Sequence, residues 1–451
     1  MDKKWLRQQA EKVRTADWIE PALNRTYGVK RGLRNDNGTG VLVGLTTIGN
    51  VHGYVMNEGE KQAIPGELYY RGINVKDIVA ADRREHRFGY EETAYLLLFG
   101  ELPTAAELQA WKEKIGARRA LPQEFVEGAI LKHPPRDLMN ALARAVLYAY
   151  VFDPEGEDVG NDLALEQCLA RSVAIIGAMP TIAAYAYRAM AGKYRGEELK
   201  LRESEPAKST AENLLMLSRP DVKPTRLEAE TLDLALILHA EHGGGNNSSF
   251  TTHVVTSAHS DIYSSVAASI LSLKGSRHGG ANLRVMRQTD EIKANVRDWA
   301  KAAAVRAYLE KIADGKAGDG SGLIYGLGHA VYTVSDPRAV MLKEKARALA
   351  REKGREDELA LLETVEQDGP AIIRARHPRA EAVCANVDLY SGFVYDMLGL
   401  PADLYTPLFA VARTVSWCAH RMEELVNEGP IIRPAYKPIF HPKPYVRLGD
   451  R

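Results

Sequence analysis

Leu232-Asp-Leu-Ala-Leu-Ile-Leu238-His-Ala-Glu-His242-Gly-Gly-Gly-Asn246-Asn-Ser248-Ser-Phe-Thr-Thr-His253 reads as an apolar helix that stops at a glycine triplet and opens into a polar loop. The last turn of such a helix carries unpaired carbonyls that favour a donating or cationic imidazole. His239 and His242 stand three residues apart, which places them on one face of that turn. Five of the twelve histidines fall between His239 and His278, and the last of these runs straight into Gly279-Gly280. Another lies in Gly326-Leu-Gly-His329. Glycine lets a ligand come close to the backbone, so imidazoles set on glycine point to binding or proton transfer more than to core packing.

Outward from this stretch, helical spacing of apolar residues dominates: Thr93–Phe99, Leu138–Tyr148, Ser172–Met179 and Leu232–Leu238 all carry it. Ser264–Lys274 reads as a helix with Ala267, Ala268 and Ser269 on one side, delivering His278 at its end. Only Val41–Ile73, rich in β-branched and aromatic residues and broken by glycines and Pro65, suggests a small hairpin. The expected fold is therefore mainly α with a small N-terminal β-hairpin region. Arg195–Pro206 and Ser218–Thr225 read as solvated excursions, and Arg351–Glu358 as an exposed helix end with its loop. At 451 residues and 45% hydrophobic content, two domains are expected.

Lys plus Arg equals Asp plus Glu at 59 each, so no basic excess draws a nucleic acid. Cys168, Cys384 and Cys418 are too few and scattered for a disulfide framework or a paired CxxC zinc site, and read as buried free thiols. The charged start, Met1-Asp-Lys-Lys-Trp-Leu-Arg, has no apolar signal core, and no run of about 18 apolar residues predicts a membrane span. A soluble, cytoplasmic protein is expected.

Tyr325–Arg338 joins a glycine loop, His329 and an Asp336-Pro-Arg338 turn, while Asn386-Val-Asp388-Leu-Tyr-Ser-Gly392 sets a carboxylate just before a helix. His278, His329 and Asp388, each on its own loop, form a plausible acid and base set. His239 and His242, on one face of a turn, could serve as two metal ligands. The zinc-binding HExxH spacing is absent, and no cysteine or carboxylate stands at a matching interval, so no metal is expected. A structural pair and a substrate-binding role stay open for these two.

These motifs together resemble the citrate synthase family of the kind common in bacteria. The matching runs are His239–Asn246, Gly275–Asn282, Gly326–His329 with Asp336–Arg338, Asn386–Gly392 and Tyr405–Thr414, in the family's order. Weaker similarity lies in the hairpin ending at Arg71, whose role is expected to be structural. The resemblance implies two mainly helical domains around a cleft, with 1–278 and 393–451 forming the large domain and 279–392 the small one. It implies condensation of acetyl-CoA with oxaloacetate and water to citrate and CoA, with no cofactor beyond the CoA thioester. Asp388 would be the base. His278, held by Ser248, would donate to the thioester oxygen, and His329 would protonate the oxaloacetate carbonyl. His242, Arg338 and Arg413 would bind oxaloacetate, and Arg433 of a neighbouring subunit would complete the site in a homodimer. Asn246 and Asn386 would support these groups, and Tyr325, Gly326, Leu327 and Gly328 would hold CoA. A 2-methylcitrate synthase using propionyl-CoA is the nearest alternative. A non-catalytic ligand-binding relative is a further one, against which the intact His278, His329 and Asp388 argue. The outsider is a metallohydrolase using His239 and His242.

The chain departs from the family pattern at several positions. Gly243 stands where many relatives have an acidic residue, and Glu241 replaces Asp. Ala330 and Thr333 remove two positive charges suited to CoA phosphates, for which nearby Lys274 and Arg277 are candidate substitutes. The longer N-terminal section and the polar stretch from Arg195 to Thr225 are not explained by the motifs.

Overall fold

Thr104, Ser209 and Thr225 each accept the amide of a glutamate three residues on, whose carboxylate returns the bond. These capping boxes satisfy orphan amides and fix where three helices begin. The protein is described by a computed structural model covering residues 3–35, 39–57, 60–153, 163–275, 278–378 and 383–450. Met1–Leu45 forms one compact unit, containing the Lys3–Asp17 and Pro21–Thr26 helices, neither of which has a buried residue. Thr46–Arg451 forms the other, predominantly helical unit.

The centre of that unit is the Tyr405–Asn427 helix, in which every residue from Tyr405 to Met422 is buried. A helix buried on all sides needs partners all round. It packs against helices Tyr90–Phe99, Leu165–Arg195, Arg226–His239, Asn247–Ser257 and Ile262–Lys274. The Leu165–Arg195 helix is, by length and composition, apolar enough to cross a membrane, and 67% of its most apolar stretch is buried inside the protein. Its apolar surface is thus used as core. Between the two expected polar excursions, Thr210–Ser218 is a helix in which every residue but Glu212 is buried. The polar reading holds for the flanks, while Leu214, Leu215 and Leu217 pull the middle into the core.

Strands β1 (Gly49–Asn57), β2 (Glu60–Tyr70) and β3 (Ile73–Asn74) form one antiparallel sheet in sequence order, starting at Gly49 rather than Val41. A register shift between His52 and Tyr54 bends β1 at Gly53. The sheet braces a loop from far along the chain: Gly66 N–H donates to the Ser335 carbonyl at 3.1 Å, and Gly53 and Gly66 both press on Tyr332. A side chain at either glycine would collide with that ring or its backbone.

Two further loops are joined by backbone. Asn386 N–H donates to the Gly326 carbonyl at 2.9 Å, Gly328 N–H to the Cys384 carbonyl at 2.8 Å, and Leu327 bridges Ala385. This short ladder carries His329 at one end and Asp388 at the other. Gly326 has φ +84°, and a Cβ there would lie 2.8–3.0 Å from Leu389. Gly326→Ala is predicted to lose about 2–4 kcal/mol, from the left-handed backbone and the overlap together. Urea unfolding checks this, and an unchanged midpoint would mean that the ladder tolerates displacement.

Candidate functional site

The buried Tyr405–Asn427 helix carries polar residues at helical spacing, Arg413, Ser416, Trp417, His420, Glu423 and Glu424. Five of them read the 239–253 segment bond by bond. Arg413 Nε donates to the His239 carbonyl at 3.0 Å, and Trp417 Nε1 donates to Ser248 Oγ at 3.2 Å. Ser416 donates to Glu241, which His420 Nε2 meets at 3.1 Å, and His253 Nδ1 meets Glu424 at 2.7 Å. Glu241 also accepts the Gly243 amide. Turning this buried carboxylate inward ends the helix at His239, ahead of the glycines. His239 and His242 consequently do not share a helical face. His239 is fully buried, stacks on Phe409 with centroids 3.6 Å apart, and shares a hydrogen bond with the Tyr395 hydroxyl at 2.6 Å. Among the described residues no third histidine, cysteine or carboxylate converges on it and His242.

His242 and His329 approach edge to face at 5.1 Å, and His329 stacks on Tyr332 at 4.6 Å. His329 Nδ1 accepts the amides of Val331 and Tyr332, both at 3.0 Å. An acceptor nitrogen carries no proton, so the proton of the neutral ring sits on Nε2. Asp336, almost wholly buried, caps the Pro337–Lys353 helix and receives Arg338 through Nε at 3.0 Å and Nη2 at 2.8 Å. Its Oδ2 also accepts the Val387 amide at 3.2 Å. The next residue, Asp388, begins the Asp388–Met397 helix, its amide held by Asn386 Oδ1 at 3.0 Å. Asn386 Nδ2 returns to the Gly328 carbonyl at 2.9 Å.

His278 Nε2 lies 3.3 Å from Ser248 Oγ, and Ser248 in turn donates to Asn246 Oδ1 at 2.8 Å. Asn246 caps the Asn247–Ser257 helix, so a residue that starts a helix also orients the serine.

Burial dominates the electrostatics. It holds His242 well below the ordinary imidazole range, with Arg338, His329, Arg413 and His278 adding to the effect. Burial, helped by Arg413, lowers His278 to about 4. Burial raises Asp388 to about 6, against the opposing pull of Arg338. Arg413 is lowered to about 10 by burial and by Arg338. For Arg338 burial works against the charge, but Asp336 outweighs it and holds the group above its ordinary value. His242 Nε2 is buried with no hydrogen-bond partner among the described residues. Two guanidinium groups, neutral imidazoles and one weakly basic carboxylate suit a small dianion and the movement of a proton.

His242, His278, His329, Arg338, Asp388 and Arg413 are thus linked by contact or by mutual field, with Asn246, Ser248 and Asn386 behind them. Arg433 is not among them. It is exposed on the extended segment after the central helix and shares no hydrogen bond or ion pair with the cluster among the described residues. In the Tyr325–Gly328 loop, three backbone groups are taken up by Cys384 and Asn386. The Tyr325 hydroxyl donates to Asp319 at 2.6 Å, and its ring lies 5.5 Å from the Arg284 guanidinium. Lys274 pairs with Asp137 at 3.1 Å, and Arg277 lies outside the described residues. Arg71 donates to the Leu97 carbonyl at 2.9 Å. Tyr332 and Trp417 were not singled out from the sequence, and Asp336 was named only within the Asp-Pro-Arg turn, without a role of its own. For Asp336 a signal existed, since Asp before Pro at a helix start is a cap in waiting.

The sequence model of the family described as "Citrate synthase, C-terminal domain" matches residues 37–435. A citrate synthase from Haloferax volcanii is 34% identical over 82% of this chain and 88% of its own length. A 2-methylcitrate synthase from Shewanella oneidensis is 32% identical over 82% and 87%. Among solved structures, citrate synthase from Pyrobaculum aerophilum superposes with TM-score 0.73 at 30% identity, covering 91% of this chain and 94% of that one. The complex of Thermoplasma acidophilum citrate synthase with carboxymethyl coenzyme A and oxaloacetate gives TM-score 0.75 at 27% identity, covering 94% and 99%. With the family's sequence pattern spanning most of its length and the same mainly helical fold, this chain is an enzyme of the citrate synthase family of acyltransferases.

Proposed function

We propose that the enzyme condenses acetyl-CoA with oxaloacetate and hydrolyses the product thioester to citrate and CoA. The observation that carries this reading is the pairing of Arg338 and Arg413, two buried guanidinium groups, with the unpartnered His242 Nε2 and the raised carboxyl of Asp388. Oxaloacetate is a dianion with a ketone, and rigid guanidinium forks match carboxylates better than ammonium groups do. Arg338 is already turned by Asp336, and Arg413 keeps its terminal nitrogens uncommitted to protein acceptors among the described residues.

In this reading Asp388 removes a methyl proton from the thioester, and His278 donates to the oxygen on which enolate charge gathers. That donation needs a neutral ring with its proton on Nδ1, hence a Ser248 hydroxyl turned from Asn246 to His278 Nε2. The 3.3 Å separation allows the turn. His329, with its proton on Nε2, donates to the ketone oxygen and then protonates it as the carbon bond forms. Movement of segment 279–392 against the rest would exclude water before proton abstraction. The Tyr325–Gly328 loop would meet CoA, and Arg433 would reach a second copy's site in a homodimer.

The decisive assay is CoA release by the wild type with oxaloacetate and either acetyl-CoA or propionyl-CoA. Acetyl-CoA is expected to react faster by about 10–200-fold, the value of one methylene in a fitted pocket. A reversed preference would make it a 2-methylcitrate synthase, as in the Shewanella relative, and consumption of neither thioester would overturn the enzymatic reading.

The acid limb of kcat/KM is expected near pH 6, because Asp388 must be ionised and is raised to about 6, whereas His278 takes up a proton only near 4. A limb near pH 4 would remove Asp388 from the role of base. Asp388→Asn should lose at least about 100-fold in turnover and yet melt higher above pH 6. The folded pKa exceeds the unfolded one, so wild type gains stability as pH falls from 6 towards 4, and the difference closes there.

A further inference from the structure

The polar stripe of the central helix runs on beyond the residues used above. His420 Nδ1 and His253 Nε2 face each other at 3.1 Å, and Glu423 Oε2 stands 3.6 Å from the same His420 nitrogen. All three atoms lie within 4.8 Å of one another. Two donors held tetrahedrally at about 2.0–2.1 Å from one zinc ion would be about 3.3 Å apart. The separations of His420 from His253 and from Glu423, 3.1 and 3.6 Å, are close to this value.

Each imidazole is also steered through its other nitrogen by a carboxylate. His253 Nδ1 meets Glu424 Oε2 at 2.7 Å, and His420 Nε2 meets Glu241 Oε2 at 3.1 Å. Carboxylate–histidine pairs of this kind fix the tautomer and sharpen the basicity of metal-binding histidines. Glu423 Oε1 is held by the Thr47 amide at 2.6 Å and the Thr47 hydroxyl at 3.0 Å. That grip leaves Oε2 buried without a hydrogen-bond partner among the described residues, turned towards the two rings. Glu423 faces the same His420 nitrogen as an ion pair, so a metal ion would take the place of the proton held between these three arms. Gly244 keeps one side clear, since a Cβ there would come within 3.4 Å of His420 and 3.8 Å of His253. The His253 and Glu424 side chains are 12% and 18% exposed, which gives an ion a way in.

We propose that His253, His420 and Glu423 form a binding site for a divalent transition-metal ion of the zinc class, with a fourth position left to water. The ion would clamp the Asn247–Ser257 helix to the Tyr405–Asn427 helix, the two that carry Ser248 and Arg413, and would take no part in turnover. A two-histidine, one-carboxylate set is suited to zinc and cobalt rather than to magnesium or calcium.

The test uses tag-free, full-length protein stripped with chelator and titrated with zinc chloride by calorimetry, then with cobalt chloride by absorption. About one ion per chain is expected, with the visible bands of four-coordinate cobalt. His253→Ala and Glu423→Gln should each weaken binding at least about tenfold, and Glu424→Gln about tenfold through the lost outer carboxylate. His253→Ala should keep native circular dichroism and basal CoA release, which separates this site from the histidines around Asp388. Substoichiometric binding by wild type, or a zinc titration unaltered in folded His253→Ala, would leave only a proton-sharing histidine pair and overturn the proposal.

Discussion

A single buried carboxylate, that of Asp336, sets the geometry on which the rest of the site depends. It caps the Pro337–Lys353 helix, takes Arg338 in a two-pronged grip, and accepts the Val387 amide immediately before Asp388. One residue thereby aligns the Arg338 guanidinium and the backbone that presents Asp388. Removing one partner from such a buried pair costs about 3–5 kcal/mol because the other charge is stranded. The Asp-Pro-Arg turn is therefore a structural joint between Arg338 and Asp388.

The same arrangement sets buried charged groups against one another. Arg338 and Arg413 repel one another through a dry interior, His242 and His278 are held neutral, and Asp388 resists ionisation. On the proposed function, a dianion would relieve the arginine repulsion and supply acceptors for donors that the protein leaves open among the described residues. Binding would thus be coupled to the electrostatics that the proposed chemistry needs. In that reading the cationic pair would lower the cost of negative charge developing on substrate, while the neutral imidazoles could still donate.

The motifs that carry the proposed site were legible because they break local rules. Histidine beside glycine, at His278 and His329, and aspartate at the head of an apolar helix, at Asp388, are poor choices for a core. Other parts were hidden because their logic is tertiary. Trp417 looks like an ordinary apolar residue until Ser248 is found against its indole nitrogen. Thr210–Ser218 is buried only because neighbouring helices close over it. The inward turn of Glu241, which ends the helix at His239, depends on Ser416 and His420 some 175 to 179 residues later. No local pattern of glycines could encode it. The hairpin was visible, but its use was not, since Gly53 and Gly66 gain meaning only against Tyr332.

The polar stripe from Arg413 to Glu424 shows how a fully buried helix can carry so many polar side chains. Such groups are costly in a core unless each finds a partner. Here the partners lie in the 239–253 segment, with Thr47 holding Glu423. The cost of burial is thereby converted into register. A shift of this helix by one residue would break the bonds to His239, Glu241, Ser248 and His253 together, so the segment bearing His242 has one position relative to Arg413. The hydrophobic core supplies most of the stability, and this row of polar pairs selects which packing the core adopts. A substrate site needs that selection, because side chains from distant stretches of sequence must meet within a fraction of an ångström.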